Sequence, residues 1–216
     1  MASSQKRIVI LVSGNGSNAQ AIIDACAKKA INGSVVKLIS NVQSANALEI
    51  AAQSNIPSTC LDHKTFQDRD SFDISLAQEI DAAQPDIIVL AGFMRILSDA
   101  FVAKYLGILL NIHPSLLPKY TGLGTHQRAI DNEDSEHGTS VHFVTPELDG
   151  GPVILQAKVP VFEDDTVDDL ASRVLIQEHK IYPLVVNWLC NERLALNNKK
   201  AFFDGQELPE CGYASD

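Results

Sequence analysis

Arg7-Ile8-Val9-Ile10-Leu11-Val12 is an unbroken apolar run that stops at once on Ser13-Gly14-Asn15-Gly16-Ser17-Asn18. Apolar on both sides of its pleat, the run reads as a strand buried on both faces, as in a parallel sheet covered by helices. The segment from Asn18 to Lys29 agrees, with Ile22, Ala25 and Cys26 gathered on one side at helical spacing. Between strand and helix, the glycine-rich turn leaves N–H groups at the helix start, with Ser17 or Asn18 as cap. That makes either a seat for phosphate or a purely structural tight turn. With Ala19 it also fits the loose dinucleotide pattern Gly-x-Gly-x-x-Ala. The next strand, Val35 to Ile39, ends in Ser40-Asn41 with no acid for an adenosine ribose, so a single phosphate suits the turn better than a nicotinamide dinucleotide.

The alternation continues down the chain. Ala45 to Ser54 reads as a helix, Ser58 to Leu61 as a short strand, and Asp68 to Ala83 as a helix with Phe72, Leu76 and Ile80 every fourth residue. Arg69, on its first turn, is a surface charge or a carboxylate ligand. Asp86 to Ala91 is a further strand, followed by Gly92-Phe93-Met94-Arg95-Ile96-Leu97 and a helix capped by Ser98. Loops at the carboxyl ends of parallel strands line binding sites, so Met94, Ile96 and Leu97 either grip a flat ring or form a small cluster under the loop.

Ile108-Leu109-Leu110-Asn111-Ile112-His113-Pro114 admits only two polar side chains, and in a strand both point the same way. The loop from Ser115 to Gly124 is rich in Pro and Gly, and Thr125 to Asn132 forms one or two helical turns. The strands His137 to Thr145 and Val153 to Val161 are joined by a connection short enough to make them antiparallel, which puts Asp149 of Leu148-Asp149-Gly150-Gly151-Pro152 at a hairpin tip. Taken singly, these pieces are a capped strand end and a turn. If the fold brings Asp149 to His113, the carboxylate orients the ring and favours the imidazolium, the imidazole moves protons, and the Asn111 amide donates to a developing oxyanion. Further on, Thr166 caps a long helix that presents Leu170, Val174, Ile181, Val185 and Trp188 to the core. Gln177-Glu178 faces substrate or water, and Asp204-Gly205 turns a hairpin in the polar tail.

At 216 residues and 45% apolar, the chain supports one core rather than two. The expected fold is a single-domain, three-layer, Rossmann-like α/β sheet, mostly parallel, with an antiparallel carboxyl-terminal portion. Residues 1–6 are expected to be disordered. A net charge of -10 argues against nucleic-acid and anionic-membrane partners. Cys26, Cys60, Cys190 and Cys211 are widely spaced, as for reduced thiols, and no apolar run reaches membrane length, so a cytoplasmic protein is expected. His63, His126, His137, His142 and His179 lack metal-ligand spacing, and no metal is expected; His142 is a possible neighbour of the site.

Taken together, the turn Ser13 to Asn18, the loop Gly92 to Leu97, the run Asn111 to Pro118 and the turn Leu148 to Pro152 resemble the glycinamide ribonucleotide formyltransferases, within the folate-dependent formyltransferase family. The resemblance runs from Arg7 to Tyr213. It implies transfer of a formyl group from 10-formyltetrahydrofolate to the amine of glycinamide ribonucleotide, with Asn111, His113 and Asp149 catalytic. It places Gly16, Ser17, Asn18, Gln177 and Glu178 on the ribonucleotide. Arg69, Met94, Arg95, Ile96, Leu97, Asn111, Thr145, Pro146, Glu147, Leu148 and Asp149 would line the folate side. Residues 7–110 would form a nucleotide-binding half and 111–216 a catalytic and folate-binding half, in a monomer or homodimer. Gly124 stands where bacterial members commonly have a histidine, and Thr121 where they have a proline. The competing expectations are a formyl-folate hydrolase, an aminoacyl-tRNA formyltransferase, and a nucleotide-binding module without formyl chemistry.

Overall fold

The first apolar run forms β1 (Lys6–Val12) in a computed structural model that describes residues 5–214. Of the leader expected to be disordered, Lys6 is already the first residue of that strand, while residues 1–4 lie outside the described residues. The chain continues through α1 (Ser17–Ala27), β2 (Gly33–Ser40), α2 (Asn46–Gln53), β3 (Ser58–Cys60), α3 (Arg69–Ala82), β4 (Ile87–Leu90), α4 (Asp99–Lys104) and β5 (Leu109–His113). It closes with α5 (Thr125–Asp131), β6 (Glu136–Phe143), β7 (Val153–Pro160), α6 (Val167–Cys190), β8 (Leu194–Asn197), β9 (Lys200–Phe203), β10 (Gln206–Glu207) and β11 (Tyr213–Ala214).

Eight strands make one sheet in the order β11-β7-β6-β5-β4-β1-β2-β3. The strands from β3 across to β5 are parallel, whereas β6 runs antiparallel to both β5 and β7. Period-two alternation sorts β1 between two layers. Ile8, Ile10 and Val12 pack with α1, α2 and α6, while Val9 and Leu11 pack with Phe72, Leu76 and Ile80 of α3 and with Phe101 of α4. Burial on both faces is why these strands read as continuous apolar runs rather than alternating ones. The fold is therefore the expected three-layer, Rossmann-like α/β sheet.

α6 is tied to the middle of that sheet by one buried phenol. Tyr182 Oη lies 2.9 Å from the Leu90 carbonyl and 3.1 Å from that of Leu110, so its one proton is shared between carbonyls of two neighbouring strands. Ser98 caps α4 and Thr166 caps α6, each accepting from a backbone N–H of the first turn. The polar tail holds more structure than its one glycine turn announces. β8, β9 and β10 form a small antiparallel sheet, and β11 returns to pair in parallel with β7. Asn198 and Lys199 turn the first of these hairpins with positive φ at both positions, without the glycine that would have signalled it.

Because β2 lies on one side of β1 and β4 on the other, the chain reverses direction across the sheet at the β1–β4 junction, which leaves a crevice at the carboxyl ends of those strands. The loops after β1 and β4 meet there, with Ser13 N–H donating to the Gly92 carbonyl at 3.1 Å. Among the described residues, no helix is long and apolar enough to cross a membrane.

Candidate active site

Asn111 and His113 share one face of β5, while Leu110 and Ile112 enter the opposite layer. In the antiparallel register Asn111 stands opposite His142 and His113 opposite Ser140. His142 Nδ1 lies 2.9 Å from the Phe143 carbonyl, and a carbonyl only accepts, so Nδ1 carries the proton. Its Nε2 is then an acceptor, 3.1 Å from Asn111 Nδ2. Burial pushes the His142 pKa down to about 4, so the ring stays neutral and fixes the Asn111 amide with its N–H groups defined. Among the described residues, His142 is the one hydrogen-bond partner of the Asn111 side-chain amide nitrogen.

Asp149 comes from the hairpin between β6 and β7 and is brought to the ring: His113 Nδ1 and Asp149 Oδ2 are 3.5 Å apart, with side chains only 8% and 10% exposed. Two backbone conditions make this possible. Asp149 takes φ +50°, a conformation that an aspartate tolerates better than most residues. Gly151 lets the hairpin close, since a Cβ there would sit 1.8 Å from the Phe143 carbonyl oxygen. Asp149 Oδ2 also accepts the Gly122 N–H at 2.8 Å, and His113 Nε2 lies 2.8 Å from the Tyr120 carbonyl. A cavity of about 330 Å³ on the Asp149 hairpin, between Leu117, Pro152 and the β9–β10 strands, reaches neither Asn111 nor His113.

The turn after β1 departs from expectation at its cap. Gly16, in the left-handed conformation, is the N-cap of α1, and neither Ser17 nor Asn18 caps it with a side chain; both are already helical. The cause is packing, because a Cβ on Gly16 would meet that of Ala47 on α2 at 2.6 Å. Asn18 instead reaches across to α6, donating from Nδ2 to Glu178 Oε2 at 2.7 Å. Glu178 is 7% exposed, and burial holds its carboxyl above the ordinary glutamate range. Asn18 Oδ1 is buried beside it with no partner, an acceptor left over at the mouth of the glycine turn. Gln177, on the neighbouring face of α6, is half-buried.

On the β4 side, Met94 and Ile96 are exposed while Leu97 is buried in the layer with Phe72 and Phe101. The Arg95 guanidinium lies 5.5 Å from the Phe72 ring centroid, and its Nε is buried without a partner. Arg69 is solvent-exposed at the start of α3, with its nearest carboxylate, Asp70, at 4.0 Å. Thr145 is half-buried, and Pro146, Glu147 and Leu148 form the exposed crest of the hairpin. Gly124 caps α5 with φ +69° and open space around it, and the Thr121 carbonyl accepts from Arg128 Nη1 at 2.7 Å.

Sequence reasoning missed the groups that connect these pieces. Ser13 Oγ accepts the Met94 N–H at 2.7 Å and donates to Asn41 Oδ1 at 2.5 Å, which bonds the β1 turn to the β4 loop. The Tyr120 carbonyl and Gly122 N–H are backbone groups, whose contacts leave no trace in side-chain identity. His142 is the exception, named from the sequence as a neighbour of the site and found beside Asn111.

The chain matches the formyl transferase family over residues 6–186. It is 59% identical over 209 residues to the phosphoribosylglycinamide formyltransferase of Escherichia coli (strain K12), covering 97% of this chain and 99% of that one. Against the phosphoribosylglycinamide formyltransferase of Haemophilus influenzae it is 46% identical, covering 98% and 100%. A solved structure of the phosphoribosylglycinamide formyltransferase of Coxiella burnetii in complex with CHES superposes with a TM-score of 0.94 at 46% identity, over 98% of this chain and 99% of that one.

Proposed function

Because the chain belongs to the formyl transferase family, we propose that Asn111, His113 and Asp149 carry the transfer of a formyl group from 10-formyltetrahydrofolate to the amine of 5'-phosphoribosylglycinamide. The enzyme is a phosphoribosylglycinamide formyltransferase, acting in purine synthesis. The observation that carries the assignment of the trio is the His113–Asp149 approach of 3.5 Å beside an amide already oriented by His142.

The substrate amine is the nucleophile, so the protein needs no acyl-accepting serine or cysteine. As the amine adds to the formyl carbon, negative charge gathers on the formyl oxygen. The free Asn111 N–H and the protonated His113 Nδ1 donate to it. Collapse breaks the bond to the folate nitrogen, which takes up a proton while the amine nitrogen gives one up, leaving the formamide and tetrahydrofolate. His113 hands on that proton, and Asp149 steadies the charged ring while it does so.

The ribonucleotide phosphate is held by Gly16, Ser17 and Asn18 at the start of α1, with Gln177 nearby. The glycyl amine lies against Glu178 and Asn18 Oδ1. That assignment is supported by the chemistry of the site, since a buried carboxylate and an orphaned acceptor together suit an ammonium or amine donor. Met94, Ile96 and the Thr145–Leu148 crest flank the folate ring. Arg69 and Arg95 serve its acidic groups, and the buried Arg95 Nε is a donor left for them.

Mixing the protein with 10-formyltetrahydrofolate, with and without the ribonucleotide amine, and following release of the deformylated folate tests the reading. Release only when the amine is present is expected. Release in its absence would assign a hydrolase instead, and none in either mixture would reject formyl transfer.

A further inference from the structure

The His113–Asp149 pair is held from outside by a single loop. Residues 114–124 link β5 to α5, and two of their backbone groups bond the two partners: the Tyr120 carbonyl takes His113 Nε2, and the Gly122 N–H takes Asp149 Oδ2, each at 2.8 Å. Because a carbonyl oxygen accepts only, the first contact requires a proton on Nε2. The nitrogen left to exchange a proton with a ligand is then Nδ1, the one that faces Asp149. A ring of the opposite tautomer would turn a lone pair toward the Tyr120 carbonyl and break the contact.

What keeps the loop in this shape is not its own backbone preference. Tyr120 takes φ +57°, where an aromatic residue is sterically disfavoured, so other contacts must hold it there. They converge on its side chain. Tyr120 Oη donates to Asp134 Oδ2 at 2.7 Å, and Asp134, in the turn before β6, is fixed in place by Lys119 Nζ at 2.6 Å from its other oxygen. The Arg128 guanidinium stacks over the Tyr120 ring at 4.9 Å while bonding the Thr121 carbonyl. Anchored there, the carbonyl of Tyr120 and the amide of Gly122 have little freedom left.

We propose that the Tyr120–Asp134 hydrogen bond is a positioning latch for the reaction: by holding one loop against both His113 and Asp149, it fixes the ring with its Nε2–H on the Tyr120 carbonyl and its Nδ1 toward Asp149 and the reacting group. The proposal rests on the formyl transfer assigned above. Tyr120 and Asp134 are positioning residues that act through His113.

The test uses the full-length protein labelled with ¹⁵N-histidine, with the His113 signals identified by their loss in His113→Asn. Long-range ¹H–¹⁵N spectra report which ring nitrogen carries hydrogen. In the wild type, His113 Nε2 should be protonated; a bare Nε2 would overturn the proposal whatever the variants do. Tyr120→Phe keeps the ring under Arg128 and removes the hydroxyl that donates to Asp134 and accepts Asn132 Nδ2 at 3.0 Å. It should loosen the Nε2–H contact, seen as a shifted His113 Nε2 resonance, and lower kcat about tenfold, with both KM values within about twofold, as expected when orientation of a proton donor is lost. Asp134→Ala, which also releases Lys119, should lower kcat at least as far, and the loss in the double variant should fall short of the sum of the two singles, because the Tyr120–Asp134 bond is common to both. An unchanged His113 spectrum and kcat in Tyr120→Phe would overturn the latch. A wild type with the predicted spectrum but no folate turnover would instead overturn the formyl transfer, so the two failures are distinguishable.

Discussion

Asp149→Asn exchanges a carboxylate for an amide of nearly the same shape, which isolates the charge from everything else the residue does. An asparagine tolerates the positive φ at this position as an aspartate does, and its side-chain oxygen can still accept the Gly122 N–H. The hairpin should therefore stay closed. What changes is the interaction across 3.5 Å with His113, in a pair about nine-tenths buried. At an effective dielectric of about 20, two unit charges at that separation attract by about 5 kcal/mol, against about 1 kcal/mol in water. The amide dipole restores part of this, leaving a net loss of about 3 kcal/mol. The charged ring is the acting form, so the loss adds to the barrier, and at 1.36 kcal/mol per factor of ten the rate should fall on the order of a hundredfold. Steady-state release of deformylated folate gives kcat and kcat/KM, and a thermal melt checks that the fold is intact. A variant that melts like the wild type and turns over within about threefold of it would refute the electrostatic role given to Asp149.

Two further perturbations probe the connections around the pair. Ser13→Ala removes the hydroxyl that accepts the exposed Met94 N–H and donates to Asn41; at a net cost of about 1 kcal/mol to the link between the two loops, KM for the formyl-folate should rise about fivefold without a matching fall in kcat. An unchanged KM would show that the two loops hold their places independently. Glu178→Gln should weaken ribonucleotide binding, seen as a KM at least about tenfold higher, because a buried charge-assisted contact is lost. The same change should raise the melting temperature at pH 7. Burial raises the Glu178 pKa, so in the window just above the unfolded value of 4.5 the folded chain binds more protons than the unfolded one, and stability falls as pH rises. Glutamine removes that penalty, and the gap between variant and wild type should close as the pH approaches 4.5. A variant less stable than the wild type at pH 7 would contradict the sign.

The layers were legible in the residues alone. Apolar runs such as Ile8–Val12 and Ile87–Leu90, separated by amphipathic segments, can bury all their side chains only between two sheets of helices, and the short Asp149 turn fixed β6 and β7 as antiparallel. Asn111 and His113 likewise fall on one face, because strand periodicity is local. The polar tail beyond Arg193 was harder to read, since a hairpin turned by Asn198 and Lys199 carries no glycine to mark it. Which distant groups meet emerged from the folded chain: Asn18 with Glu178, Ser13 with Met94, His142 with Asn111, and Tyr120 and Gly122 with the His113–Asp149 pair. The physical reason is the kind of atom involved. Side-chain periodicity is written in residue identity, whereas a carbonyl or an amide N–H is the same at almost every position, and where it points is fixed by the closure of the whole chain.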